Sequence, residues 1–270
     1  MSINRMILTS LQNPKIKSVV KLRERRHRDL QGLMLIEGVR ELALALNNKV
    51  KLESVFYCER YFNNNTELTL IKHAQKNGAT LIEVDKKVFQ KIVYKEHPDG
   101  LLAVACQPKL SIQNLVIGKY PLLVVVVGIE KPGNLGAILR SADAAGVDGV
   151  IVCDQCTDIY NPNVVRSSIG TIFSMQVATG SSQEAIHWLK EKKVLTVAAS
   201  PGATNAYTNI DFRTPVAIIL GSEQLGLSDE WLKMVDKQAC IPMHGQADSL
   251  NVATSTTVLL YEAIRQRRSA

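Results

Sequence analysis

Short continuous apolar runs alternate with amphipathic stretches along most of this chain, and that alternation predicts its architecture. Leu33-Met34-Leu35-Ile36, Ser54-Val55-Phe56-Tyr57-Cys58, Thr80-Leu81-Ile82-Glu83-Val84 and Leu101 to Cys106 are strand-length runs bounded by polar turns. Helical patterns separate them, from Val39 to about Asn47, from Thr66 to Lys76, and from Lys86 to about Val93. Thr66 and Asp85 stand where side-chain caps belong, and Asn77-Gly78 and Pro98-Asp99-Gly100 are stop and turn signals. A basic, helical segment precedes the first strand, with Val19, Val20 and Leu22 as a weak apolar side. These elements predict a small α/β domain over residues 1–107.

Gln107-Pro108 breaks the rhythm, and residues 108–120 read as a linker. Leu122 to Val127 is then a continuous β-branched run, the pattern of a strand buried on both faces. Gly149 to Val152, Phe173 to Val177, Val194 to Val197 and Val216 to Leu220 are further strand candidates, with helical segments such as Ser181 to Lys192 between them. Residues 121–270 therefore predict a mostly parallel sheet covered on both faces.

Composition narrows the function classes. Charged residues at 21% and apolar residues at 46% are ordinary for a soluble globular protein. No apolar stretch approaches the roughly 18 residues of a membrane span, and the amino terminus shows no secretory pattern. Five scattered cysteines, an odd number, point to a reducing, cytoplasmic setting. Cys153 and Cys156 have the spacing of a metal half-site, but no second pair completes it, so no metal is expected. The net charge of +7 is unevenly spread: Lys15, Lys17, Lys21, Arg23, Arg25, Arg26 and Arg28 fall in one segment, and Arg265, Arg267 and Arg268 crowd the end. Such a surface favours polyanions through counterion release. A merely solubilising face gives the same pattern, so charge alone does not establish nucleic acid.

Three stretches can carry chemistry. After the Val124–Val127 run comes Gly128 to Ala142, in which Leu135, Ile138, Leu139 and Ala142 make a buried helical stripe. Asn134 stands where an N-cap would, and Gly136, one turn before Arg140, clears space beside its guanidinium. A strand-to-helix turn of this kind binds phosphate in many folds, but neither a G-x-G-x-x-G nor a P-loop pattern is present. The second stretch is Gly221-Ser222-Glu223-Gln224-Leu225-Gly226-Leu227: Gly221 ends a buried strand and admits a ligand or another backbone, Glu223 can bind a polar group or hold an arginine, and Ser228 caps the next helix. The third runs from Ile241-Pro242-Met243 to Ser249-Leu250-Asn251, where Ser249 or Asn251 can cap the last helix. That helix opens with Ala253-Thr254-Ser255-Thr256-Thr257, small and mostly poor helix formers, so it needs close packing against the sheet or a second subunit.

In order, Asn134-x-Gly136-x3-Arg140, Gly221-x-Glu223-x2-Gly226-Leu227 and Ile241-Pro242-x2-Gly245-x3-Ser249-Leu250-Asn251-Val252 resemble the three motifs of the SpoU (TrmH) branch of the SPOUT RNA methyltransferases. The resemblance covers residues 121–270, and residues 1–106 resemble the L30e-like substrate-binding domain that often precedes it. It implies an α/β fold with a deep trefoil knot, a homodimer, S-adenosylmethionine as cofactor, and methylation of a ribose 2′-hydroxyl in RNA. By position, Gly221, Ile241, Leu250 and Met243 would contact the cofactor, and Arg140, Asn134, Glu223, Ser249 and Asn251 would form the reaction site. In that family the arginine at the position of Arg140 is proposed as the base, helped by an RNA phosphate. A guanidinium with a pKa above about 12 is ordinarily a donor, so its chemistry suits positioning the nucleotide and steadying developing charge. Lys21, Arg23, Arg25 and Arg26 would grip RNA phosphates. The two-domain layout favours ribosomal RNA. A transfer RNA enzyme, a non-catalytic ribosome-assembly factor and an antibiotic-resistance enzyme share enough of these features to remain alternatives.

Overall fold

The computed structural model of the protein describes residues 7–268. Two compact units emerge. The first gathers the chain up to Pro108 together with Ile159–Ser174, and the second gathers Lys109–Asp158 and the chain from Met175 onwards.

In the first unit, α1 (Pro14–Lys21) and α2 (Arg25–Gln31) lead into β1 (Leu33–Glu37), α3 (Val39–Asn47), β2 (Leu52–Tyr57), α4 (Thr66–Lys76), β3 (Thr80–Glu83), α5 (Lys86–Ile92) and β4 (Leu101–Cys106). The sheet order is β1-β4-β2-β3, antiparallel except for the parallel β2–β3 pair. Alternate residues of these strands serve opposite faces. Leu35, Phe56, Leu102 and Val104 pack with Ile16, Val19 and Leu22 of the amino-terminal segment and Val88, Phe89 and Ile92 of α5. Asp85 caps α5 as expected, its Oδ1 accepting from the Val88 amide at 2.7 Å. Thr66 is instead the first helical residue, and the buried Glu67 carboxylate receives the Asn63 and Asn64 amides.

The second unit opens earlier than the apolar pattern suggests. Residues 109–120 do not form a free linker: Ile112 and Leu115 are buried in its core, and the Val116 amide donates to Gln176 Oε1 at 2.9 Å. Then come β5 (Leu122–Val127), α6 (Pro132–Ala144) and β6 (Gly149–Cys153). The next segment, α7 (Pro162–Ser167) with the 3₁₀ turn Thr171–Phe173, belongs to the first unit, where α7 packs on β1. Gly170, at φ +85°, makes this possible, because a Cβ there would lie 2.8 Å from the Glu41 Cα. The strand expected over Phe173 to Val177 is therefore absent. A short apolar run does not distinguish strand from buried turn, and here Ile172 and Phe173 are buried in the 3₁₀ turn that Gly170 begins. The chain returns to the second unit with β7 (Val177–Gly180), α8 (Ser182–Glu191), β8 (Leu195–Ala199), β9 (Val216–Leu220), α9 (Asp229–Met234), β10 (Lys237–Ala239) and α10 (Val252–Arg268).

All six strands are parallel, in the order β10-β8-β9-β5-β6-β7. β5 and β9 lie in the middle and are almost entirely buried, which accounts for their continuous apolar sequences. The edge strand β10, only three residues long and carrying Lys237 and Gln238, has no apolar run to betray it. The carboxyl ends of β5, β8, β9 and β10 all open toward one crevice, the place where parallel sheets bind ligands.

Candidate active site

A cavity of about 650 Å³ lies at these strand ends, lined by Ala199, Ser200 and Pro201 at the end of β8, Leu220 to Leu227 at the end of β9, and Ala239 and Ile241 at the end of β10. Met243 and the Asp248–Val252 segment close its other side. Gly221, Ile241, Leu250 and Met243, expected at the cofactor, thus line a single cavity, together with Glu223, Ser249 and Asn251. The residues after β8 were missed. Ala199-Ser200-Pro201-Gly202 marks a strand end as clearly as Gly221 does, and that turn signal could have found them.

Asn134 does not cap α6. Lys131 occupies the cap position without a side-chain bond, Pro132 begins the helix, and the Asn134 amide is released for the site. Its Nδ2 donates to Glu223 Oε1 at 2.6 Å, and its Oδ1 accepts from Asn251 Nδ2 at 3.2 Å. Asn251 in turn caps α10, its Oδ1 accepting from the Ala253 amide at 2.9 Å. Because a carboxylate only accepts, this chain has one direction: Ala253 amide to Asn251 to Asn134 to Glu223. One relay therefore ties the strand ends after β5 and β9 to the start of α10. Ser249 stands outside it, exposed, with its hydroxyl donating to Asp248 at 3.2 Å.

Burial alone would raise the Glu223 pKa. Hydrogen bonds from the Asn134 side chain and the backbone amides of Glu223, Glu130 and Lys131 outweigh it and hold the carboxyl below its usual 4.5. A depressed folded pKa contributes stability above the unfolded value, and that stability is lost as pH falls through the folded value. The stability difference between the native protein and Glu223→Gln should then be full at pH 7, about 1–2 kcal/mol for a charge-assisted bond, and shrink in urea titrations below pH 4.5. A gap constant with pH would remove the ionised carboxylate from the relay.

Arg140 is exposed, does not line the cavity, and its guanidinium makes no hydrogen bond with the described residues. It lies six residues beyond Asn134 on α6, about 9 Å along the helix and a third of a turn around it. Glu223 therefore holds Asn134, not Arg140. The hydroxyl-rich start of α10 packs within the chain: Thr256 is fully buried, and the Thr257 and Ser141 hydroxyls meet at 2.8 Å between α10 and α6. Cys153 is buried beside Asp154 and Glu184, which pushes its thiol up to about 12, and Cys156 is exposed. Such a thiol is inert at neutral pH.

Against known families, residues 121–261 match the SpoU rRNA Methylase family, and residues 13–103 match the MRM3-like substrate binding domain. The chain belongs to the SpoU rRNA methylase family. A 23S rRNA (uridine(2479)-2′-O)-methyltransferase of Streptomyces viridochromogenes is 31% identical, over 92% of this chain and 88% of that relative. A solved RNA 2′-O ribose methyltransferase is 42% identical with a TM-score of 0.86, covering 97% of this chain and all of the other. An AdoMet-bound rRNA methyltransferase from Sinorhizobium meliloti gives 30% identity and a TM-score of 0.89, covering 96% of this chain and 97% of the other.

The basic residues of this SpoU methylase divide into two groups. Lys21, Arg25 and Arg26 are exposed. Arg23 is committed to the fold: its Nη2 donates to the Lys91 and Val93 carbonyls at 2.8 and 2.7 Å, and its guanidinium lies 4.7 Å over the Tyr94 ring. Arg28 is buried and donates to the Leu22 and Arg23 carbonyls. At the other end Arg267 donates to four backbone carbonyls, so the carboxyl-terminal charge is also partly structural.

Proposed function

We propose that this protein is an S-adenosylmethionine-dependent methyltransferase that modifies a ribose 2′-hydroxyl of ribosomal RNA. The observation that carries this is the Asn251–Asn134–Glu223 relay at the rim of the strand-end cavity, which joins the three motifs into one site. The cavity suits the cofactor. Leu220, Ile241, Met243 and Leu250 offer apolar walls for an adenine ring, and an ionised Glu223 favours a positive sulfonium. When bound, S-adenosylmethionine supplies an electrophilic methyl group.

The chain's own residues do the rest. Glu223 fixes Asn134, and Asn251 holds Asn134 from the other side, so the amide presents one rigid face to the nucleotide. Ser249 and Asn251 set the nucleotide and the carboxyl-terminal loop. Arg140 binds the nucleotide's phosphate and steadies the charge that develops on the 2′-oxygen as its proton passes to solvent. The protein works in the cytoplasm as a homodimer through the catalytic unit, whose carboxyl-terminal segments form the family's trefoil knot. The exposed side of α10, with Tyr261 at 51% exposure, offers surface for that contact.

Ribosomal RNA is favoured by the Streptomyces relative's named substrate and by the match to a substrate-binding domain. The test is a map of 2′-O-methylation across total RNA from cells with and without the protein. One ribosomal position should lose its methyl group. Loss at a transfer RNA position instead would overturn the substrate, and no loss anywhere, with cofactor still bound, would mark a non-catalytic factor.

A further inference from the structure

Among the described residues, α1 and α5 are the only helices with three lysines and no acidic residue. They lie 65 residues apart in sequence yet pack side by side. Ile16 and Val19 of one and Val88, Phe89 and Ile92 of the other enter the same core. Their outward faces therefore coincide, with Lys15, Lys17, Lys21, Lys86, Lys87 and Lys91 all exposed. Lys17 and Lys21, like Lys87 and Lys91, are four residues apart, so each helix stacks like charges one turn from each other. Such pairs destabilise a helix on its own, and a polyanion laid across both helices relieves them.

The face is also held rigid. Arg23, just past the end of α1, clamps the Lys91 and Val93 carbonyls at the end of α5. Asp85, the nearest carboxylate in sequence, is occupied by the Val88 amide. Lys86 lies 6.0 Å over the Tyr61 ring, which restrains its side chain. Preorganised cations lose little freedom on binding. The carboxylates of α3 and α4 are buried, Glu41 beside Lys95 and Glu67 on the Asn63 and Asn64 amides, and the exposed charges of these two helices are Arg40, Lys72 and Lys76, half the number carried by α1 and α5.

We propose that the α1–α5 face is a phosphate-binding surface for RNA, in which Lys86, Lys87 and Lys91 act with Lys17 and Lys21, and Arg23 serves as the clamp between the helices. The proposal rests on RNA being the substrate. It moves the expected contact from one basic segment of sequence to a two-helix platform.

The experiment compares Lys86→Gln/Lys87→Gln/Lys91→Gln with Lys51→Gln/Lys72→Gln/Lys76→Gln, an equal charge change elsewhere on the same unit. Binding of the full-length proteins to protein-free large-subunit ribosomal RNA is measured over a series of KCl concentrations. Each lost phosphate contact removes about 0.7–0.9 from the slope of log affinity against log salt. The α5 variant should therefore flatten the slope by roughly two and lose on the order of a hundredfold in affinity at low salt. The control should stay near native, and both should keep native S-adenosylmethionine affinity. An α5 variant matching the native slope would overturn the proposal, as would equal losses in both variants, which indicate diffuse charge. Methyl transfer by the native protein is assayed in parallel, so failure of the face and failure of the RNA reading give different results.

Discussion

Arg140→Ala should lower the rate of methyl transfer to ribosomal RNA by about 10²–10³-fold, the usual cost of removing a charge-stabilising donor, while leaving S-adenosylmethionine affinity within a factor of about two. The separation of the two effects follows from position. Arg140 sits on α6 apart from the cavity lining, with its guanidinium exposed and no described residue holding it. Truncating it leaves the cofactor walls and the Asn134–Glu223 bond in place. The helix should persist, since the buried stripe Leu135, Ile138, Leu139 and Ala142 is untouched and alanine is the better helix former. Isothermal titration for the cofactor and single-turnover transfer to RNA read the two quantities apart. Arg140→Lys keeps the charge but loses the planar fork, and should recover only part of the rate if a bidentate phosphate contact is what matters. A variant lacking the guanidinium that transfers methyl groups at the native rate would take Arg140 out of the mechanism.

How far each feature is legible in the sequence varies with the physics behind it. β5 and β9 declared themselves because burial on both faces demands unbroken apolar sequence. Amphipathic spacing locates the helices α3 and α4, with the start of α4 one residue earlier than a Thr66 cap implies. The strand expected at Phe173 failed because a short run of apolar residues fits a buried 3₁₀ turn equally well, and only the approach of Gly170 to Glu41 decides between them. The assignment of Ile159–Ser174 to the first unit is likewise a tertiary fact that no local pattern encodes.

At the site, residue types and their order were legible and their connections were not. Asn134 was expected as a cap because Asn favours that position, but Pro132 starts the helix two residues earlier and frees the amide for Glu223. For Glu223 the residue types leave a polar ligand, Arg140 and Asn134 open as partners, and the structure gives it to Asn134. The charge cluster held a similar ambiguity. Sequence counts Arg23 and Arg28 with the exposed lysines, although carbonyl groups inside the first unit consume their donors. Composition reports how much charge exists, and only packing reports which of it faces water.

Gly221→Ala should weaken cofactor binding by about tenfold or more and destabilise the protein by about 1–3 kcal/mol, as an overpacked site does. An added Cβ would lie 2.1 Å from the Gly226 carbonyl carbon, 2.2 Å from its oxygen and 2.4 Å from the Leu227 nitrogen. All three are backbone atoms, so no side chain can swing away and the loop itself must open. That loop is tightly closed: Ser222 and Gly226 exchange two hydrogen bonds of 3.0 Å, and Ser222 Oγ accepts from the Leu225 amide at 3.1 Å. Opening it moves the cavity wall and Glu223 together. Gly226→Ala is the informative comparison, since nothing lies within 4 Å of its added Cβ and only its φ of +67° resists. It should cost about 1 kcal/mol through backbone strain yet keep cofactor affinity within a few-fold. Calorimetric titration with S-adenosylmethionine separates the two glycines: if Gly221→Ala binds as the native protein does, the close approach of Gly221 to Gly226 is not what shapes the pocket. If both variants lose binding alike, loop rigidity in general, and not the contact at Gly221, governs the site.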